Sequence, residues 1–159
     1  MLKPGTKPKL NFKVVALDKG KVVQKPMAEF LEGKPTVVSV YMRNNTSACD
    51  KQTKELEKYQ QLVAKQGFRI VAVSRDPIAS HAKYAKKHGY DYTLIADPED
   101  QFSKAMDGMI EKSMYGKKYL GPARAAYLFD PKGKLLGVIP KIDAAKHGEQ
   151  ILEAIKGLK

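Results

Sequence analysis

Cys49 is the single cysteine of a 159-residue chain, and it stands in the polar run Arg43-Asn44-Asn45-Thr46-Ser47-Ala48-Cys49-Asp50. A lone cysteine is most often a small buried apolar side chain. This one follows a β-rich run, Thr36–Met42, and precedes a long helical pattern. Ser47 and Asp50 match an S-x-x-D capping box, with Thr46 as the alternative cap. Either cap puts Cys49 in the first helical turn, beside unpaired backbone N–H groups and the positive end of the helix dipole. That setting favours the thiolate, which is the nucleophilic form. A free thiol with a pKa of ~8.5 is only a few per cent thiolate at neutral pH. A surface dipole adds roughly 0.3–1 kcal/mol, less than one pKa unit. A strongly reactive thiolate therefore needs a cation as well. Arg43 is near in sequence. Arg124 is the stronger candidate: it stands directly before the strand pattern Ala125–Phe129, and loops at strand ends gather at the site of an α/β sheet.

The other candidates carry less chemistry. One cysteine excludes an internal disulfide, a zinc ribbon, a cysteine-held iron–sulfur cluster and a C-x-x-C pair. His81 and His88 are seven apart on one helix pattern and lack a third ligand at suitable spacing, so no metal site is expected. His147 opens the last helix and is expected at the solvent face. Ser74 lacks the G-x-S-x-G surround of a hydrolase elbow. Asp97, Glu99 and Asp100 read as helix-start chemistry, and Lys117-Lys118 beside Gly116 is not a P-loop. Asn44-Asn45-Thr46 and Asn45-Thr46-Ser47 match the glycosylation sequon by chance.

Strands and helices alternate around these residues. Asn11–Ala16 and Lys21–Gln24 flank Leu17-Asp18-Lys19-Gly20 as an N-terminal hairpin. After Thr36–Met42, a helix from about Ala48 to Gln66 carries Leu56, Tyr59, Leu62 and Val63 at helical spacing and ends at Gly67. Arg69–Ser74 is the next strand, and Asp76-Pro77 reads as cap and first turn of a helix to His88. Tyr92–Ala96 is a short strand, and Asp97-Pro98 starts a helix through about Met106. Two strands, Ala125–Phe129 and Lys134–Ile139, join through Asp130-Pro131-Lys132-Gly133, before a last amphipathic helix, Ala144–Ile155. The alternation predicts one α/β domain over residues 1–159, a mixed sheet with helices on both faces.

The formal charge is +12, from 29 basic and 17 acidic residues. The excess is spread along the chain, with no zinc-finger spacing, RNA-binding aromatic signature or basic heptad helix, so no nucleic-acid partner is expected. No stretch approaches ~20 apolar residues and the first residues show no signal-peptide run, so no membrane partner is expected and the expected location is cytoplasmic.

Tyr41-Met42-Arg43-Asn44-Asn45-Thr46-Ser47-Ala48-Cys49 resembles the peroxiredoxin motif P-x-x-x-[TS]-x-x-C. The likeness is closest to the bacterioferritin comigratory protein, or peroxiredoxin Q, group. It extends through Pro8, Ser80–Lys87, Leu94–Pro98, Met114–Tyr119 and Arg124–Lys134. The resemblance implies a thioredoxin-like fold and thiol-dependent reduction of hydrogen peroxide and organic hydroperoxides. By position it makes Cys49 the peroxidatic cysteine, Thr46 the site threonine and Arg124 the site arginine, with no cofactor and no metal. In those roles the thiolate attacks a peroxide oxygen and becomes a sulfenic acid. Thr46 holds peroxide and thiolate through its hydroxyl, and Arg124 stabilises the thiolate and the charge on the leaving oxygen.

Two positions depart from the pattern. Met42 replaces the motif's proline, which would fix φ and remove an N–H beside the thiolate. Methionine is flexible and oxidisable, so the change bears on the rate of turnover. Lys54 stands five residues after Cys49, where many members carry a resolving cysteine. A one-cysteine type is implied, reduced by an external thiol: a small thiol or a thioredoxin- or glutaredoxin-like protein. Relatives include monomers and homodimers. The alternative reading is a non-turnover redox sensor or a thioredoxin-like binding module.

Overall fold

The computed structural model describes residues 1–158. β1 (Lys13–Asp18) and β2 (Lys21–Pro26) form the N-terminal hairpin. Lys19 and Gly20 turn it with φ of 50° and 79°, the double positive φ whose twist matches that of the flanking strands. β3 (Thr36–Val40), α1 (Ser47–Lys65), β4 (Arg69–Ser74), α2 (Ile78–His88) and β5 (Thr93–Ala96) follow as two parallel crossovers. Then come α3 (Gln101–Ala105), β6 (Met109–Met114), β7 (Lys117–Pro122), β8 (Ala126–Phe129), β9 (Leu135–Ile139) and α4 (His147–Lys156).

Seven strands make one sheet in the order β2-β1-β5-β4-β3-β8-β9. β3, β4 and β5 are parallel, while β1, β8 and β9 join antiparallel, so the sheet is mixed as predicted. Side chains alternate across it. Val37, Ala72, Leu94 and Leu128 pack against Leu56 and Val63 of α1, Tyr84 of α2 and Ile151 and Ile155 of α4. Val38, Val71, Ile95 and Tyr127 face the other way, onto Phe30, Leu31, Phe102 and Met106. Both faces of the central strands are therefore covered, which is why they read as near-continuous apolar runs.

Four features differ from the sequence reading. Residues 109–122 form a separate two-stranded hairpin, β6–β7, turning at Tyr115-Gly116. Asp76 does not cap α2: its carboxylate takes the Ser74 hydroxyl at 2.6 Å and the Asn44 N–H at 2.9 Å, and Pro77 holds the cap position. α3 starts at Gln101, later than Asp97-Pro98 suggested, although the Asp97 carboxylate still accepts from the N–H groups of Gln101 and Phe102. His147 is buried, not exposed, because it shares the inward face of α4 with Ile151 and Ile155, four and eight residues further on. No helix among the described residues is long and apolar enough to cross a membrane.

Candidate active site

The buried stripe of α1 runs Cys49, Gln52, Thr53, Leu56, Val63. It follows helical spacing, but its first turns are polar where the rest is apolar. The sulfur thus sits on the core-facing side of the helix start, at the C-terminal end of β3. Cys49 is 1% exposed.

The loop that delivers the sulfur is tied down on its far side. Tyr41 donates its hydroxyl to Asn44 Oδ1, and the Asn44 amide nitrogen donates to Ser80 Oγ at 3.0 Å and lies 3.2 Å from His81 Nδ1. His81 is buried, and its Nε2 lies 3.1 Å from the Ile95 carbonyl. These contacts make His81 and Asn44 structural anchors, and they leave the Asn44 amide no freedom to carry a glycan. Among the described residues no cluster of His, Cys, Asp or Glu could hold a metal.

Thr46 is the N-cap residue of α1, with extended backbone angles, but no S-x-x-D box forms. The Thr46 hydroxyl lies 2.8 Å from the Arg43 carbonyl, its one proton able to turn to that oxygen or to the Cys49 sulfur, and the Asp50 carboxylate accepts from Tyr84 at 2.6 Å instead of reaching back to the helix start. Arg43 contributes its backbone, not its charge: its N–H donates to Cys49 Sγ at 3.4 Å. Arg124 Nη1 also donates to Cys49 Sγ at 3.4 Å. The structure therefore brings Cys49, Thr46 and Arg124 together. Burial resists ionisation of the thiol, but the Thr46 hydroxyl, the Arg43 N–H, the Arg124 guanidinium and the Met42 backbone outweigh it, and the pKa falls below the ordinary thiol value.

Two contributors escaped the sequence reading. Gln52 Oε1 accepts at 2.7 Å from Arg124 Nη1, the same nitrogen that reaches the sulfur, and so helps fix the guanidinium. Its signal was its place three residues after Cys49 on the stripe that also carries Leu56 and Val63. Lys112, on β6, is the other. Its Nζ lies 2.9 Å from Met42 Sδ, and burial and the nearby arginines hold its pKa below the usual lysine range. Beside it a cavity of about 530 Å³ opens between Met42, Arg75, Pro77, Met114 and Tyr119. The arrangement supplies a lowered-pKa thiol, a cation and backbone donors, with adjoining space for a small substrate.

The profile of the AhpC/TSA family matches residues 7–138. Peroxiredoxin Bcp of Xanthomonas campestris is 31% identical over 120 residues, covering 76% of this chain and 75% of that protein. A structure of peroxiredoxin Q from Xanthomonas campestris superposes with a TM-score of 0.79 at 28% identity, covering 94% of this chain and 93% of the other. A structure of the bacterioferritin comigratory protein of the same organism, described for its alkyl peroxide reduction activity, superposes with a TM-score of 0.82 at 26% identity, covering 99% and 100%.

Proposed function

The chain belongs to the AhpC/TSA family, in its Bcp/peroxiredoxin Q group of thioredoxin-like thiol peroxidases, and from that premise we propose that Cys49 is its peroxide-reducing thiol, with Thr46 and Arg124 completing the site. The observation that carries this reading is the shared 3.4 Å approach of the Arg43 N–H and Arg124 Nη1 to Cys49 Sγ. A thiolate held by such donors is both populated and correctly aimed.

In the first step the Cys49 thiolate attacks one oxygen of ROOH. An S–O bond forms, the O–O bond breaks, and RO⁻ leaves and takes up a proton as water or an alcohol. Arg124 stabilises the negative charge that moves from sulfur to the departing oxygen. The sulfenic acid then meets an external thiol, releasing water and leaving a mixed disulfide. A second thiol displaces Cys49 and carries the disulfide away. With one cysteine in the chain, both reducing thiols come from other molecules. We place the reaction in the cytoplasm, where such donors are kept reduced, and the donor as a thioredoxin- or glutaredoxin-like protein or a small thiol. We read residues 1–159 as one domain, acting as a monomer or homodimer.

Stepwise peroxide addition to the reduced protein, with sulfenic acid trapping at Cys49 and turnover followed with several thiol donors, tests the reading. Rapid stoichiometric oxidation and many turnovers are expected. A Cys49 thiol that survives excess peroxide would overturn it.

A further inference from the structure

His147 lies on α4, beyond residue 138 where the family match ends, and it is fully buried. Its ring connects to Cys49 through an unbroken run of hydrogen bonds. Nε2 lies 2.8 Å from Ser39 Oγ. Gln52 Nε2 donates to the same Ser39 Oγ at 2.8 Å, and Gln52 Oε1 accepts from Arg124 Nη1 at 2.7 Å. Arg124 Nη1 then reaches Cys49 Sγ at 3.4 Å.

Donor and acceptor chemistry sets the orientation of the Gln52 amide. The Val40 carbonyl can only accept, and it takes Gln52 Nε2 at 3.1 Å. The Gln52 amide nitrogen therefore faces Val40 and Ser39, and its carbonyl faces the guanidinium. The reverse orientation would set two donors against each other. Ser39 Oγ keeps its own proton and a second lone pair, so it meets His147 Nε2 as donor or acceptor according to the tautomer of the ring. Burial, aided by the charge of Arg124, brings its pKa down to about 4, so it is neutral at physiological pH.

The start of α4 is fastened to the helix that carries Cys49. The Gly148 N–H donates to Glu55 Oε1 at 3.2 Å, and the Tyr59 ring lies so close over Gly148 that a Cβ has no room. Glu55 and Tyr59 both belong to α1. His147 is thus held on a rigid support.

We propose that His147 is a positioning residue for peroxide reduction, fixing the Arg124 guanidinium against Cys49 through Ser39 and Gln52. This rests on the reading of Cys49 as the reacting thiol, and the wild-type reaction with peroxide tests that reading separately. In the intact protein, His147→Phe keeps a ring and loses the hydrogen bond to Ser39, His147→Gln restores a hydrogen-bonding group, and Ser39→Ala cuts the next link. The readouts are the Cys49 thiol titration midpoint, the rate with hydrogen peroxide and the thermal midpoint. His147→Phe and Ser39→Ala are expected to raise the Cys49 pKa and slow peroxide reduction roughly threefold to tenfold, and His147→Gln to recover most of both. In an Arg124→Ala background the His147→Phe effect should vanish, because the histidine acts only through the arginine. An unchanged Cys49 titration in folded His147→Phe and Ser39→Ala proteins overturns the proposal, as does an effect of full size without Arg124. Should His147→Phe not fold, Ser39→Ala decides alone.

Discussion

Lys112 Nζ lies 2.9 Å from Sδ of Met42, the residue that stands where the peroxiredoxin motif carries proline. The stem of Lys112 reaches there across Gly121 of the paired strand, where a Cβ would crowd Lys112 Cδ at 3.1 Å. The Met42 backbone is also among the groups that lower the Cys49 pKa. The departure from the motif thus brings two things a proline cannot: a backbone nitrogen that keeps its proton near the sulfur and a thioether that holds an ammonium at the mouth.

Met42→Pro removes both. The Cys49 thiol pKa is expected to rise and the rate with hydrogen peroxide at neutral pH to fall. Titration of the thiolate absorbance gives the first and stopped-flow oxidation the second. A proline variant with a lower pKa and a faster rate would show that methionine is a defect here.

Arg124→Ala should raise the Cys49 pKa and cut the second-order rate with peroxide on the order of a hundredfold, the usual scale for losing one preorganised charge-stabilising donor. In the wild type, activity should climb as pH rises through the depressed thiol pKa and level off below the pH range of a free thiol. Matching titration curves for the two proteins would remove Arg124 from the site.

Acid should destabilise the fold through its buried histidines. Burial lowers the pKa of His81, and that of His147 to about 4 from an ordinary 6.5. The folded state binds these protons less readily than the unfolded chain. Stability from neutral His147 is therefore complete above pH 6.5 and is lost as pH falls from there toward about 4. The full loss from this one residue is about 3 kcal/mol. Urea midpoints measured across that window should fall, and should fall less in His147→Gln.

Gly148→Ala should cost about 1–3 kcal/mol of stability, since its Cβ collides with the Tyr59 ring and the ring or helix must shift. Denaturant unfolding measures this directly. A variant as stable as the wild type would mean that α4 shifts freely against α1.

Much of this was legible in the sequence. The order of the main strands and helices follows from apolar runs punctuated by Gly and Pro, and Cys49, Thr46 and Arg124 could be picked out because their order matches a motif. The β6–β7 hairpin left no such trace. Its residues are mostly exposed, and its turn puts Tyr115, not Asn or Asp, at positive φ. Gln52 and His147 were hidden for another reason: a polar residue on a helix is read as solvated unless its depth is known. His147 stands four and eight residues before Ile151 and Ile155, so helical spacing does put it on their buried face, but a histidine opening a helix reads as a solvated end.

The 1% exposure of Cys49 also bears on how the proposed cycle would close. A thiol carried on another protein cannot meet a sulfur at that depth, so with Cys49 as the reacting thiol the segment around it must open before a mixed disulfide forms. Recycling by a protein donor then depends on that opening, and a compatible change that stiffens the first turn of α1 is expected to slow it, leaving a protein that lingers as the sulfenic acid.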